Sequence, residues 1–527
     1  MEAFLQPLQG LAEFEEIKKR CGANRGILNV SGCMESQKVH LMYGLSGLFP
    51  CHLILADDER NAKEIYEDYR FYDKNVYFYP AKDLLFFQAD IHGNLLIRQR
   101  MRVIRALLEQ EEVTVVTSID GCMDFLMPLE KIKSSLLHFK SDSVIDLDQL
   151  KADLVDLGYE RVGQVELPGQ FSVRGGIIDI YPLTEENPWR IELWDDEIDS
   201  IRSFDAESQR SLENIDEITI YPATEKMDCE DMVSFLDYFP EEKTLLFLDE
   251  LNHLAENGEG VEEEYRQSRM HREEKGEANL PEQWLCGFQE VQKKLNRRNC
   301  VAVSALSPRR SGWKINEEFD LTVKSVDSYN SSFELLVKDL LQYKSQGYRI
   351  ALLSGSRTRA ERLAKDLSEE GLNAFYRQDT DRIISPGEIM VVYGHARRGF
   401  QYPLIKFAVM TETDIFGKEQ KKRKKKKKYS GNRIQDFAEL SIGDLVVHEK
   451  HGLGIYRGIE KVEVDRVVKD YIKIEYRGGS NLYILATQLD ALQKYSGSSE
   501  NAKTPKLNKL GGQEWNKTKS RVRGAVK

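Results

Sequence analysis

The stretch FSVRGGIIDIYP, Phe171–Pro182, followed by WRIELWDDEIDSIRSFD, Trp189–Asp205, decides how the chain is read. Apolar residues alternate with polar ones at Phe171 and Val173, Ile178 and Ile180, and Ile191 and Leu193, the period of strands with one buried face. This predicts a curved antiparallel sheet. Gly175 and Gly176 let the backbone bend where a side chain would obstruct it. Arg174 and Arg190 sit among apolar strand residues and must reach solvent or an acidic partner. With Trp194 close in sequence they form a candidate contact patch, because interface hot spots commonly combine aromatics with arginine. From these residues alone, a solvated sheet face with cation–π contacts is the simpler reading.

Working outward, 527 residues exceed what one core usually holds, so three to five domains of roughly 100–200 residues are expected. A hydrophobic fraction of 41% and a mean hydropathy of −0.50 describe a soluble chain. No stretch approaches the roughly 20 apolar residues a membrane span needs, and the N-terminus lacks a signal-peptide pattern, which reads as cytoplasmic. Seven dispersed cysteines without a CxxC pair argue for reduced thiols and against a zinc site. The net charge of −12 is uneven: residues 418–428, KEQKKRKKKKK, and the end from Lys503 are basic, while the middle is acidic. Any nucleic-acid contact is therefore local, and the lysine run reads as a self-repelling linker.

The first 135 residues alternate strand-like and helical segments, a pattern for α/β structure with a parallel sheet. A phosphate-binding loop would stand at SGCMESQKV, Ser31–Val39. Such a loop needs GxxxxGK[ST]: glycines to wrap phosphate oxygens in backbone N–H groups, lysine for charge, a hydroxyl for magnesium. Gly32 and Lys38 keep the spacing, but Gln37 replaces the second glycine and Val39 the hydroxyl. In LLFLDELNH, Leu245–His253, an apolar strand ends in Asp249-Glu250 as a Walker B strand does. Both halves of an ATP site read as relics.

From Phe333 to Gly417 the pattern is a further compact α/β unit with no chemistry of its own; Arg397, Arg398 and Phe400 in GHARRGF read as an ordinary exposed turn. From Ile442 to about Ser496, short alternating strands punctuated by glycine predict a small β-barrel. His448 and His451 lie in a strand-turn-strand pattern and read as structural, not as a metal pair. No metal site is expected.

The lead-in GYER, Gly158–Arg161, the VRG turn and the WDDEIDSIR run resemble, in order and spacing, the second domain of the excision-repair protein UvrB, and more closely its counterpart in the bacterial transcription-repair coupling factor (Mfd) family. That spacing reverses the preference for a bland sheet face: the resemblance implies docking onto UvrA through Arg161, Arg174, Arg190 and Trp194. In UvrB, histidine stands where Asn252 does here, and a long tyrosine-rich hairpin is inserted where this chain runs from Phe78–Asp90 straight into the helix at Leu95. Loss of the ATP loop and of that DNA wedge, with the docking sheet kept, matches the UvrB-like module of the coupling factors.

VVHEKHGLGIY, VVKDYIKIEY and LYILATQLDALQKY, between Val446 and Tyr495, resemble the family's RNA polymerase-interacting domain, related to CarD and Tudor-like barrels. The resemblance implies binding to the polymerase β subunit through a strand edge, with Tyr471, Ile472, Lys473 and Ile474 as candidates. Alternation gives two sets of residues without their orientation, so Ile472 and Ile474 as core stays open.

The resulting expectation is an α/β multidomain chain. A degenerate UvrB/helicase-like α/β domain spans 1–135 and 223–318, with an antiparallel β domain, 136–222, inserted. An α/β domain at 319–417, a basic linker at 418–435 and a CarD/Tudor-like barrel at 436–500 follow. Residues 501–527 resemble the start of the helix leading into the family's motor. Gly32, Lys38, Asp249 and Glu250 form a degenerate nucleotide site. No cofactor is expected in these residues; ATP and magnesium belong to the family's motor, as does most DNA contact. The expected role is an adaptor between polymerase and UvrA; the alternatives are a divergent UvrB-like ATPase and a stand-alone CarD-like regulator.

Overall fold

The structure is a computed structural model that describes residues 1–23, 25–82, 95–141, 143–224, 231–275, 285–308, 312–417, 443–448, 451–464, 467–477, 480–485, 492–494 and 507. The lysine run, the basic C-terminal stretch apart from residue 507, and the segment where the UvrB hairpin would stand, 83–94, lie outside the described residues. The chain divides into two compact units, 1–263 with 281–420, and 264–280 with 421–527.

The first unit opens with helices α1 (Glu2–Leu8) and α2 (Ala12–Arg20), then β1 (Gly26–Ser31), α3 (Glu35–Ser46), β2 (Cys51–Ala56), α4 (Glu59–Tyr72), β3 (Val76–Tyr79) and β4 (Val113–Ser118). The strands β1 and β4 are buried at every position, as expected of strands covered on both faces. Helix α4 begins where the Asp58 carboxylate accepts the Asn61 N–H at 2.7 Å.

The short strand β5 (Phe125–Leu126) leads into β6 (Leu137–Lys140), β7 (Glu160–Arg161), β8 (Gln170–Arg174), β9 (Ile177–Ile180), β10 (Trp189–Trp194), β11 (Glu197–Phe204), β12 (Ser211–Asn214) and β13 (Glu217–Ile220). Strands β7 to β12 make one sheet in the order β12-β11-β10-β9-β8-β7, antiparallel except for the β7–β8 pair. Its register sorts the faces: Ile178, Ile191 and Ile201 stand opposite one another and face the core, while Ser172, Asp179, Arg190 and Arg202 form a polar row on the other face. A satellite core of Val165, Tyr181 and Phe204 lies apart from the main one.

After β14 (Val233–Ser234) come β15 (Thr244–Asp249), β16 (Asn299–Val303) and β17 (Ile315–Asp320). They join the first four strands in a seven-stranded sheet, β17-β1-β16-β15-β2-β4-β3, so strands from before and after the inserted β region interleave. A second six-stranded sheet, β18-β22-β23-β19-β21-β20, follows from β18 (Lys324–Ser325), β19 (Arg349–Ser354), β20 (Asn373–Arg377), β21 (Glu388–Tyr393), β22 (Phe400–Tyr402) and β23 (Phe407–Thr411).

Helices α1, α3 and α4 share one core cluster with this second sheet: Phe4, Val39, Met42 and Tyr69 pack with Ala351, Met390, Phe400 and Val409. A buried hydrogen-bond chain crosses the same boundary. Gln37 donates to the Tyr402 hydroxyl at 3.0 Å, which lies 3.0 Å from His40 Nδ1. His40 Nε2 meets the Phe4 carbonyl at 3.0 Å, and since a carbonyl only accepts, the proton sits on Nε2 and Tyr402 donates to Nδ1. Burial pushes the His40 imidazole down to about 4.

The turn Arg397-Arg398, expected to be exposed, is docked instead. Arg397 donates through its backbone N–H and Nε to the fully buried Asp68, at 3.0 and 3.1 Å, and pairs with Glu64. The Arg398 N–H donates to Ser36 Oγ at 3.1 Å, and Phe400 is buried. The turn ties the second α/β region to α3 and α4.

The second unit holds β24 (Leu445–His448), β25 (Gly452–Val464), β26 (Val467–Glu475), β27 (Asn481–Leu485) and β28 (Leu492–Lys494), an antiparallel sheet in the order β27-β26-β25-β24-β28. Its end strands, β27 and β28, do not pair with each other among the described residues. No helix among the described residues is long and apolar enough to cross a membrane.

Candidate functional site

On the outer face of the inserted sheet, Arg190, Glu192 and Trp194 follow one another at period two along β10. Trp194 closes β10 opposite Glu197, at a hairpin whose first turn residue, Asp195, has φ +61. The indole is 79% exposed, the kind of solvent-facing aromatic that a folded core does not require. Arg161 is exposed on β7, at the sheet edge. Arg174, at the end of β8, is 45% exposed and donates through Nη2 to Asp179 Oδ2 at 2.5 Å.

Arg190 is a different case. Its side chain is 15% exposed, and Nε and Nη2 make a two-point contact with Asp179 at 2.7 and 3.0 Å. Its guanidinium also lies 4.4 Å from the Phe204 ring centroid and donates to Gln209 at 3.2 Å. The hydrogen bonds it donates to Asp179 hold it charged even more firmly than usual. The candidate set Arg161, Arg174, Arg190 and Trp194 therefore lies on one sheet, but Arg190 ties the polar row to the satellite core and does not stand free. Sequence reasoning missed Asp179, which sits fully buried between the two arginines.

The phosphate-loop position is closed by the chain itself. Lys38 Nζ lies 2.7 Å from Asp249 Oδ1 and 2.6 Å from Glu250 Oε1, with only 11% of its side chain exposed. Burial works against its charge, but the two carboxylates outweigh it and push the ammonium up. Asn61 donates to Asp249 at 2.8 Å and the Ala305 N–H to Glu250 at 2.8 Å. Gln37, where a phosphate loop needs glycine, accepts the Met34 N–H at 3.0 Å, and Val39 is core. Gly32 has φ +74, and a Cβ there would stand 2.2 Å from the Leu321 carbonyl oxygen, so this glycine serves a close chain crossing. The four residues Gly32, Lys38, Asp249 and Glu250 do come together, but the Lys38 ammonium that would meet a nucleotide's phosphates is already paired with the two carboxylates. No group of three or more His, Cys, Asp or Glu placed to hold a metal ion occurs among the described residues. Six described cysteines are free thiols.

In the second unit the proposed contact strand requires correction. Strand β26 lies between β25 and β27, and Tyr471–Ile474 are paired on both sides. Ile472 and Ile474 are fully buried in a cluster with Val446, Tyr456 and Tyr476, and Tyr471 is buried too; Lys473 lies 5.7 Å from the Tyr483 ring centroid. With both backbone edges used, this segment cannot accept an added strand. Open edges among the described residues lie on β27, on β28, and on 461–464 and 467–470, where β25 and β26 run on beyond β24 and β27, paired only with each other. His448 Nδ1 accepts the His451 N–H at 3.3 Å.

Residues 137–225 match the model of the UvrB interaction domain, and residues 440–496 that of the CarD-like/TRCF RID domain. The chain is 31% identical over 571 aligned positions to the transcription-repair-coupling factor of Bacillus subtilis (strain 168), covering 94% of this chain and 48% of that protein. It is 29% identical over 513 positions to that of Staphylococcus aureus (strain MRSA252), covering 86% and 43%. The chain thus spans about half the length of the curated relatives it matches. Over the stretch it shares with them, the chain is similar to the transcription-repair-coupling factors of these bacteria.

Proposed function

We propose that this chain acts as the adaptor portion of a transcription-repair coupling factor, joining stalled RNA polymerase to UvrA in the cytoplasm. The carrying observation is the outer face of the inserted sheet within the matched UvrB interaction domain, where Trp194 and Arg174 stand exposed on a buried ionic base. A rigid aromatic anchor beside a cation is how a small interface gains affinity. Arg161 is exposed on the edge strand, but its register partner is the core-facing Phe171, so it stands on the other face of the sheet and is left out of this surface. The polymerase β subunit docks by strand addition, along the outer edge of β27 (Asn481–Leu485) rather than on β26. The first α/β region is a UvrB-like fold whose ATP site has become an ion-paired support, so these residues use neither ATP nor magnesium.

One pull-down tests this reading: the purified chain offered UvrA and the polymerase β subunit separately retains each. Retention of neither refutes the adaptor role. Magnesium-dependent ATP turnover by the same preparation, lost in Lys38→Ala, would replace it with the ATPase reading.

A further inference from the structure

We infer that Asp179 is a positioning residue for the docking face: it holds Arg174 so that the unused side of its guanidinium receives a carboxylate of the partner. This rests on the reading that the inserted sheet docks UvrA.

The inference starts from charge. Asp179 is fully buried, and the two-point contact from Arg190 already neutralises it. Arg190 is held in turn by Phe204 and Gln209. The second arginine is not needed for neutrality, and it brings one surplus positive charge to the outer face.

Arg174 uses one nitrogen, Nη2, for Asp179. A guanidinium carries five N–H donors in a rigid plane, paired in parallel as Nε with Nη2 and as Nη1 with Nη2, so whichever Nη2 hydrogen Asp179 takes, the other one still forms a parallel pair with Nε or Nη1. Nε and Nη1 make no hydrogen bond among the described residues, and the side chain is 45% exposed. A parallel N–H pair matches the two oxygens of a carboxylate, which makes an acidic side chain the fitting partner group. An arginine at a strand end is otherwise a flexible chain that must be ordered at the moment of binding. Asp179, fixed by Arg190, orders it beforehand. Trp194 then supplies apolar contact on the same face.

The test is a double-mutant cycle on UvrA affinity of the 527-residue chain, with Arg174→Ala, Asp179→Asn and the double variant, each checked by thermal unfolding. Each single change is expected to weaken binding about tenfold, and the double variant no more than either single one, because Asp179 acts through Arg174. A merely structural Asp179 gives losses that multiply to about a hundredfold, which overturns the inference. So does an Asp179→Asn chain that binds like wild type. Where Asp179→Asn unfolds the sheet, Arg174→Lys decides: lysine keeps the charge but not the paired donors, so it is expected to lose about tenfold, and wild-type affinity overturns the inference. A wild-type chain with no affinity for UvrA overturns the docking reading together with this role; wild-type binding with unchanged variants overturns the role alone.

Discussion

Lys38→Met separates a structural lysine from a catalytic one. In a working phosphate loop the lysine faces a nucleotide, and its removal abolishes turnover while leaving the apo fold nearly as stable. Here Lys38 is 11% exposed and bridges Asp249 and Glu250 at 2.7 and 2.6 Å. Removing one partner of a buried pair generally costs about 3–5 kcal/mol, because the remaining charge stays buried. Asn61 and the Ala305 N–H still serve the two carboxylates, and Glu250 is partly open to solvent, which places the expected loss at the low end, about 3 kcal/mol.

The loss depends on pH. Burial holds the Asp249 carboxyl above its ordinary value even with Lys38 present, and losing the ammonium raises it further. A group whose folded pKa is raised adds stability below its unfolded pKa and loses it as pH rises, so the deficit of Lys38→Met is larger at pH 8 than near pH 5. Urea unfolding of the variant and wild type at both pH values measures this directly. A Lys38→Met, Asp249→Leu, Glu250→Gln triple variant is expected to recover part of the loss, since no carboxylate is then left unpaired. Equal stability of Lys38→Met and wild type at pH 8 would refute the claim that the loop has become a support.

Trp194→Ala is expected to leave the unfolding midpoint unchanged and to weaken UvrA capture at least thirtyfold, about 2 kcal/mol, as a hot-spot residue would; Arg190→Ala is expected to lower stability by about 2–3 kcal/mol in the same scan, because it leaves the buried Asp179 with the single contact from Arg174. Ile472→Arg places a charge inside the small sheet, so loss of polymerase β binding is expected only together with loss of that sheet's cooperative unfolding. His40 stays neutral when folded, with its imidazole at about 4 against 6.5 unfolded, so the unfolded chain binds more protons as pH falls and stability drops by about 3 kcal/mol between pH 6.5 and 4. A pH titration of stability that is identical in His40→Gln would refute that assignment.

Much of the fold is written in local pattern. Strands β4 and β15, VTVVTS and TLLFLD, read as buried runs because they are covered on both faces, and the alternation of β8 to β10 gave the inserted sheet its inner face. What local pattern cannot carry is the identity of a partner across the chain. Lys38, Asp249 and Glu250 were each legible as remnants of one site, yet their mutual pairing over 211 and 212 residues, which changes their meaning, comes from packing. Asp179 passed unnoticed because a single acid in IIDI has no signature until two arginines converge on it. For β26 the period was right, but its place in the middle of a sheet depends on β27, and so the expected edge became core. The Arg397 turn looked exposed because Asp68, its anchor, lies on a helix far earlier in the chain.

Strand β1 sits between β16 and β17. Both of its neighbours are made long after it, so during synthesis an apolar strand leaves the ribosome with no hydrogen-bonding partner until Val303 has followed, and with only one until Asp320. The β7–β12 sheet needs no such wait, since all its strands lie between Glu160 and Asn214. The surface that meets another protein can therefore mature on the nascent chain before the scaffold that carries it is closed.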